Sequence, residues 1–100
     1  MINPFLIPLK TKIVNILFTE DLDEYAIGQY EYIIEIIDNM LTGVILTDDE
    51  AVYNLFGETY TTALINVNIE LVKWLKPFIN TLWEQIDQEN YLEKHNEISF

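Results

Sequence analysis

Five carboxylates at helical spacing are the residues of this sequence best placed to do chemistry. At about 100° per residue they fall within a narrow sector of one helix. No lysine or arginine occurs between residues 19 and 43 to neutralise them. Aligned carboxylates attract cations, either a metal ion or the basic side chains of another protein. This acidic stripe consists of Glu20, Glu24, Glu31, Glu35 and Asp38.

Two explanations of the acidic stripe are open from the sequence. The simpler one is a solvated helix face, which needs no partner. A functional surface is favoured by the repulsion between Glu31 and Glu35, because like charges at i and i+4 cost about 0.2 to 0.5 kcal/mol per pair. The helix dipole also disfavours Glu35 and Asp38 near a helix C-terminus. The functional explanation predicts that the stripe faces cationic groups of a partner.

A second acidic segment, Thr47–Glu50, has the pattern of a helix start. Thr47 and Glu50 stand at capping-box separation, which accounts for the segment structurally. Its carboxylates, Asp48, Asp49 and Glu50, would extend the acidic surface if the fold brought the two segments together. They lack the ligand order and the central glycine of a calcium-binding loop, so no metal site is predicted.

Catalysis and direct nucleic-acid binding have little support. His95 is the sole histidine, cysteine is absent and the three glycines are isolated, so neither a nucleophile–base pair nor a phosphate loop is indicated. The formal net charge is −12, and all five basic residues are lysines. An acidic chain without arginine is not expected to bind nucleic acids or anionic membranes directly. We therefore expect no enzyme, no cofactor and no metal, and a basic protein as the partner.

The sequence predicts one helical domain over residues 1–100. Half of the residues are apolar, which is enough for a single core. Residues 1–8 are predicted to be irregular because Pro4 and Pro8 interrupt them, and a short helix follows to about Phe18. A signal peptide is not indicated, and the absence of cysteine favours a cytoplasmic location.

The helix with the acidic stripe is predicted to be central to the core. It starts near Thr19 or Asp21 and ends before Gly43, a residue type suited to a helix C-terminus. Gly28 suggests a slight bend or a close approach of another segment. Tyr32, at the edge of the apolar arc, is predicted to be partly exposed. That arc covers more than half of the circumference and packs in the core or against another subunit; it consists of Leu22, Tyr25, Ala26, Tyr30, Ile33, Ile36, Ile37 and Met40.

The second half of the chain is predicted to hold one short and one long helix. The short helix covers about two turns from Thr47 to Gly57. Residues 60–69 alternate between apolar and polar types like a strand, yet a longer helical pattern runs through them to Ile86. We prefer the helix, which gives an all-α compact bundle of about four helices, and an α+β fold with a short strand is the alternative.

Two features of the last helix are predicted from its composition. Pro77 removes a backbone donor and disfavours helical geometry at the preceding residue, so a kink is expected near residues 73–77. Residues 90–100 lose the helical period and are predicted to fray.

The function predicted from these patterns is that of a non-enzymatic binding protein that occupies a basic, nucleic-acid-binding surface of a partner such as a nuclease. In size and charge the chain looks broadly like small acidic phage and mobile-element proteins, including DNA mimics and anti-defence inhibitors, without a shared motif. The alternative is an assembly subunit that forms a homo-oligomer, such as a homodimer, through its apolar helix faces. The predicted binding residues are Glu20, Glu24, Glu31, Glu35, Asp38, Asp48, Asp49, Glu50 and Tyr32.

Overall fold

A computed structural model describes residues 3–43 and 49–86, which form four α-helices of nearly equal length. Each helix packs against its neighbours in the chain, and the last packs against the first. Short connections at 20–23 and 66–68 make their flanking helices antiparallel, as in an up-and-down bundle. The predicted all-α bundle is confirmed. Its helices are α1 (Asn3–Thr19), α2 (Glu24–Leu41), α3 (Asp49–Ile65) and α4 (Ile69–Gln85).

Stripes of apolar side chains from all four helices form the core. In α4, Leu71, Leu75 and Phe78 are fully buried at helical spacing. The ring of Phe78 has its centroid 4.5 Å from that of Phe56 in α3 and 6.0 Å from that of Phe5 in α1. Aromatic pairs at these distances stabilise a fold by about 0.5 to 1.5 kcal/mol beyond their buried area. Phe78 therefore ties three helices together.

Helix α1 begins at Asn3, so the prediction that residues 1–8 are irregular is wrong from residue 3 onward. Pro4 lies in the first turn, where its missing N–H would have no helical acceptor. Pro8 lies deeper in α1 and cannot donate to the carbonyl four residues earlier. Leu6 and Leu9 are both fully buried beside it, and this burial outweighs the lost hydrogen bond.

Gly57 does not end the third helix, which was predicted to have two turns and instead has 17 residues. The buried stripe continues past it from Phe56 to Thr59 and Ala63. Burial of these side chains outweighs the cost of about 1 kcal/mol for a glycine inside a helix. The buried hydroxyl of Thr59 donates to the carbonyl of Leu55 at 2.9 Å, so this polar residue is satisfied in the core.

A turn at residues 66–68 divides the segment that was predicted to be one long helix. The strand alternative for residues 60–69 is also wrong, because these residues form the end of α3, the turn and the start of α4. The apolar residues of the alternating pattern, Ile65, Val67 and Ile69, are exposed at the turn and do not form the buried face of a strand. As a consequence α4 has 17 residues, like α1 and α3, and is not a long helix.

The turn at 66–68 is a Schellman motif with valine in the position that glycine usually occupies. The N–H of Val67 donates to the carbonyl of Leu64 at 3.2 Å, and the N–H of Asn68 donates to that of Ala63 at 2.9 Å. Val67 has φ = 57°, in the left-handed region, where a β-branched residue is an outlier. The backbone of this corner is therefore strained.

A buried hydrogen bond fixes the corner to α2. The hydroxyl of Tyr30 donates to Oδ1 of Asn68 at 2.7 Å, and both residues are buried. Burial, with a smaller contribution from the negative charge of Glu20, raises the pKa of Tyr30 to about 12. The side chain of Asn68 makes no capping bond to α4; its oxygen is used by Tyr30 instead.

Pro77 lies inside α4, which continues to Gln85. The hydroxyl of Thr81 donates to the carbonyl of Pro77 at 3.0 Å, within the same helix. The kink near residues 73–77 stays a prediction, and the tail at 90–100 lies outside the described residues.

Candidate partner-binding surface

Three glutamates of the acidic stripe share one exposed face of α2. Glu24, Glu31 and Glu35 are all exposed, and at 1.5 Å per residue they extend over about 16 Å of helix. Within residues 3–43 and 49–86, no lysine lies within ion-pairing distance of any of them. Their mutual repulsion is therefore not relieved by the described part of the chain.

Asp38 differs from the other residues of the stripe because the fold supplies its cation. Its Oδ1 lies 2.7 Å from Nζ of Lys10 in α1, and both side chains are half-exposed. Asp38 thus has a cation from another helix, although residues 19–43 contain no base. A tertiary ion pair also explains why an acidic residue is tolerated near the C-terminus of α2.

Glu20 lies in the connection before α2 and not on the helix itself. The helix begins later than predicted because α1 runs through Thr19, whose hydroxyl donates back to the carbonyl of Asn15 at 2.7 Å. Asp23 is the N-cap, in place of Thr19 or Asp21, and its Oδ1 accepts from the N–H of Ala26 at 2.8 Å. Glu20 remains exposed near the N-terminal end of the stripe.

Exposed apolar side chains flank the acidic stripe on both sides. On one side Tyr32 is 52% exposed, as predicted, and Tyr25, which belongs to the predicted apolar arc, is 65% exposed and not part of the core. On the other side an open groove runs between α1 and α2, and Phe18 beside it is 85% exposed. The groove is lined by Val14, Leu17, Phe18, Ile27, Glu31 and Ile34.

Two of these apolar residues were missed by the sequence analysis. Ile27 falls in the same sector of α2 as Glu24 and Glu31, so a helical projection contained the signal that it faces outward. Phe18 follows the last buried residue of α1, Ile16, by half a turn, which also indicated an exposed position. Gly28 is exposed, and a Cβ there would meet no atom within 4 Å, so the suggested close approach is wrong.

The acidic segment at Thr47–Glu50 is described only in part. Thr47 and Asp48 lie outside the described residues, and so does the predicted capping box. Asp49 is the first residue of α3, and Glu50 is partly buried in its first turn. A continuous surface that joins this segment to the acidic stripe stays a prediction.

Charge is segregated among the helices. Seven acidic and no basic residues occur from Glu20 to Leu41, whereas the lysines of the described residues all lie on α1 and α4. Lys12 lies 3.4 Å from Glu70 and 5.7 Å from the centroid of the Trp74 ring. Lys73 lies 3.9 Å from the same glutamate. Helices α1 and α4 together thus carry four lysines and two glutamates, whereas α2 and α3 carry acidic residues and no basic ones.

The described residues contain no group of three histidine, aspartate or glutamate side chains placed to ligate a metal. None of the four helices combines the length and the apolar character that crossing a bilayer requires. No protein-family model, curated protein or solved structure matches this chain.

Proposed function

We propose that this protein is a non-enzymatic binding protein whose acidic stripe engages a basic surface of a partner protein. The supporting observation is the contrast within the stripe. Asp38 is neutralised by Lys10, whereas Glu31 and Glu35 stay exposed one turn apart without a cation in the described residues. An external lysine or arginine would relieve that repulsion.

The exposed aromatic residues beside the stripe support the same proposal. Tyrosine is among the residue types that contribute most to binding when they become buried in an interface. Tyr25 and Tyr32 stand on one flank of the glutamates, and both are more than half exposed. A helix face that is only solvated has no need of them.

A partner that itself binds nucleic acid is the more specific form of the proposal, as in anti-defence proteins that act on a nuclease in the cytoplasm. One strand of duplex DNA places a phosphate every 3.4 Å or so along the axis, whereas the three exposed glutamates of the stripe on α2 extend over about 16 Å. The carboxylates therefore reproduce only some of the contacts that the phosphates of a displaced nucleic acid would make. The flanking apolar residues are proposed to supply the remaining contacts.

The homo-oligomer alternative has less support because the apolar arc of α2 is largely used within the bundle. Ala26, Tyr30, Ile33 and Ile37 are all fully buried against the other helices. Little of that arc is left for an extensive apolar interface between subunits.

The first test is a capture experiment with matched charge reversals. Immobilised wild-type protein, the Glu31→Lys/Glu35→Lys variant and the Glu58→Lys/Glu84→Lys variant are exposed to bacterial lysate, and bound proteins are eluted with increasing salt. Both variants change the net charge equally, and Glu58 and Glu84 are exposed on other helices.

We expect a basic protein to be retained by the wild type and by the Glu58/Glu84 variant, and to be lost from the Glu31/Glu35 variant. Release of that protein by added duplex DNA would support the more specific proposal. Equal retention by both variants would show that the stripe is not the binding surface.

A further inference from the structure

Exposed apolar side chains concentrate at one end of the bundle. The C-termini of α1 and α3 and the N-termini of α2 and α4 meet there, joined by the connections at 20–23 and 66–68. We call this the turn end. It holds six of the ten large apolar residues that are exposed in the described chain: Phe18, Tyr25, Leu64, Ile65, Val67 and Ile69. Leu64, Ile65, Val67 and Ile69 lie within six residues of one another in the chain, and exposed apolar side chains concentrated in this way on a single domain are often functional.

Val67 shows that the turn end is not shaped by folding needs alone. Its φ of 57° would be relaxed in glycine, which adopts left-handed geometry without a steric cost. The side chain is 69% exposed, so core packing does not compensate for the strain. Ile65, two residues earlier and the last residue of α3, is 74% exposed. The fold gains little from either apolar side chain.

The charges around the turn end differ on its two sides. On the α1–α2 side, Glu20, Asp21, Asp23 and Glu24 are all exposed, and no basic residue occurs among residues 13–24. On the α4 side, Glu70 is balanced by two lysines. An occupant of this surface therefore meets apolar side chains at the corner and unbalanced carboxylates along one edge.

We propose that the turn end is a docking surface for an apolar pocket with a basic rim on a partner protein. The proposal rests on the proposed function, because the same acidic face continues into the stripe on α2, and it adds where the apolar contact is made. Lysine or arginine at the rim complements the acidic connection, and the pocket buries Ile65 and Val67.

Charge disfavours the other possible occupants. A second copy related by a two-fold axis at this corner would bring two acidic connections towards each other. An anionic membrane would meet the same carboxylates. A basic-rimmed protein pocket is the occupant whose charge matches.

A pair of defined peptides tests the proposal. The probe is an amphipathic helical peptide with leucine on one face and lysine on its flanks, and the reference is a peptide of the same charge with glutamine in place of leucine. Each is titrated into isotopically labelled protein, and amide shifts and affinity are measured. The protein variants are Ile65→Ser, Val67→Gly and the control Ile7→Ser, whose residue is 63% exposed at the opposite end of α1.

We expect the leucine peptide to shift amides at 64–69 and 20–24 and to bind more tightly than its reference. Ile65→Ser and Val67→Gly should each weaken it by about tenfold, because each removes a buried apolar contact, and Ile7→Ser should not. Val67→Gly should at the same time raise the melting temperature by about 4 °C. Weaker binding by a more stable variant cannot be attributed to unfolding.

The contrary outcomes separate this proposal from the proposed function. If the leucine peptide shifts only α2, and its binding depends on Glu31 and Glu35 but not on Ile65, the docking surface is wrong and the acidic stripe stands. If its binding depends on Ile65 but not on these glutamates, the stripe is not the binding surface and the docking surface stands. Absence of binding by both peptides, or self-association through residues 64–69, would overturn the docking proposal.

Discussion

Two helices of this protein end in the same backbone conformation with opposite residue types. After α2, Gly43 has φ = 80°, and after α3, Val67 has φ = 57°. Their N–H groups donate to the carbonyls of Met40 and Leu64, at 3.3 and 3.2 Å. An L-residue pays about 1 to 2 kcal/mol for this conformation and glycine almost nothing. Backbone geometry therefore accounts for Gly43 and not for Val67.

The two helix ends differ in what specifies them. At Gly43 the residue itself favours the left-handed conformation. At Val67 the next residue favours that conformation, because the side chain of Asn68 accepts a hydrogen bond from Tyr30 in the core. A tertiary contact can thus hold a residue in a left-handed conformation that its own side chain disfavours. This leaves the side chain at position 67 available for selection on another property.

The largest effect is expected from removing the anchor of the second helix end. Asn68→Ala leaves the buried hydroxyl of Tyr30 without its acceptor, and we expect a loss of about 2 to 3 kcal/mol in the free energy of unfolding. Urea denaturation measures this. The control is Asn66→Ala in the same turn, whose side chain only donates to the carbonyl of Thr62 on its own helix. Equal losses in both variants would contradict the anchor.

Ionisation of Tyr30 should release the same anchor at high pH. The pKa is raised from 10 to about 12, so between these values the unfolded chain loses this proton and the folded one keeps it. Protonated Tyr30 contributes fully to the free energy of unfolding below pH 10, and this contribution falls by roughly 2 kcal/mol as the pH rises to 12. The pH dependence of unfolding, measured against Tyr30→Phe, isolates this proton. Parallel curves for the two proteins would argue against the raised pKa.

A reciprocal exchange of residue types at the two helix ends tests the comparison directly. Gly43→Val should destabilise by about 1 to 2 kcal/mol, because valine is strained at positive φ. Val67→Gly should stabilise by about 0.5 to 1 kcal/mol, because the strain is removed and part of the gain is lost to unfolded-chain entropy. Thermal denaturation of both variants and the double exchange measures this. Changes of the same sign would show that the two ends are not equivalent.

Helix ends were predicted correctly where the local sequence signals agreed, and incorrectly where a local signal and burial against other helices favoured different structures. The end of α2 before Gly43 was correct because glycine and the end of the apolar period coincide. Gly57 carries the same local signal, yet α3 passes through it because Phe56 and Ala63 are buried on either side. Burial depends on neighbouring helices, which a local pattern does not contain.

In the candidate surface, too, the features that depend on local sequence were predicted and those that depend on tertiary contacts were not. The alignment of Glu24, Glu31 and Glu35 followed from helical phase alone. The pairing of Asp38 with Lys10 joins residues 28 positions apart, and no periodicity within either helix could indicate it. The exposed corner at Val67 was hidden because a strained turn has no sequence signature when glycine is absent.

The separation of charge between α2 and the α1/α4 side gives the described part of the molecule an electric dipole. In the field of a positively charged body, such a molecule rotates so that α2 leads before any contact is made. Under the proposed function, a larger fraction of the collisions with the partner is then productive, and we expect added salt to slow association more than it shortens the lifetime of the complex. Under the proposed function, the placement of the described lysines on α1 and α4 would thus affect how fast the partner is found, and Lys10 also contacts the acidic stripe directly, at Asp38.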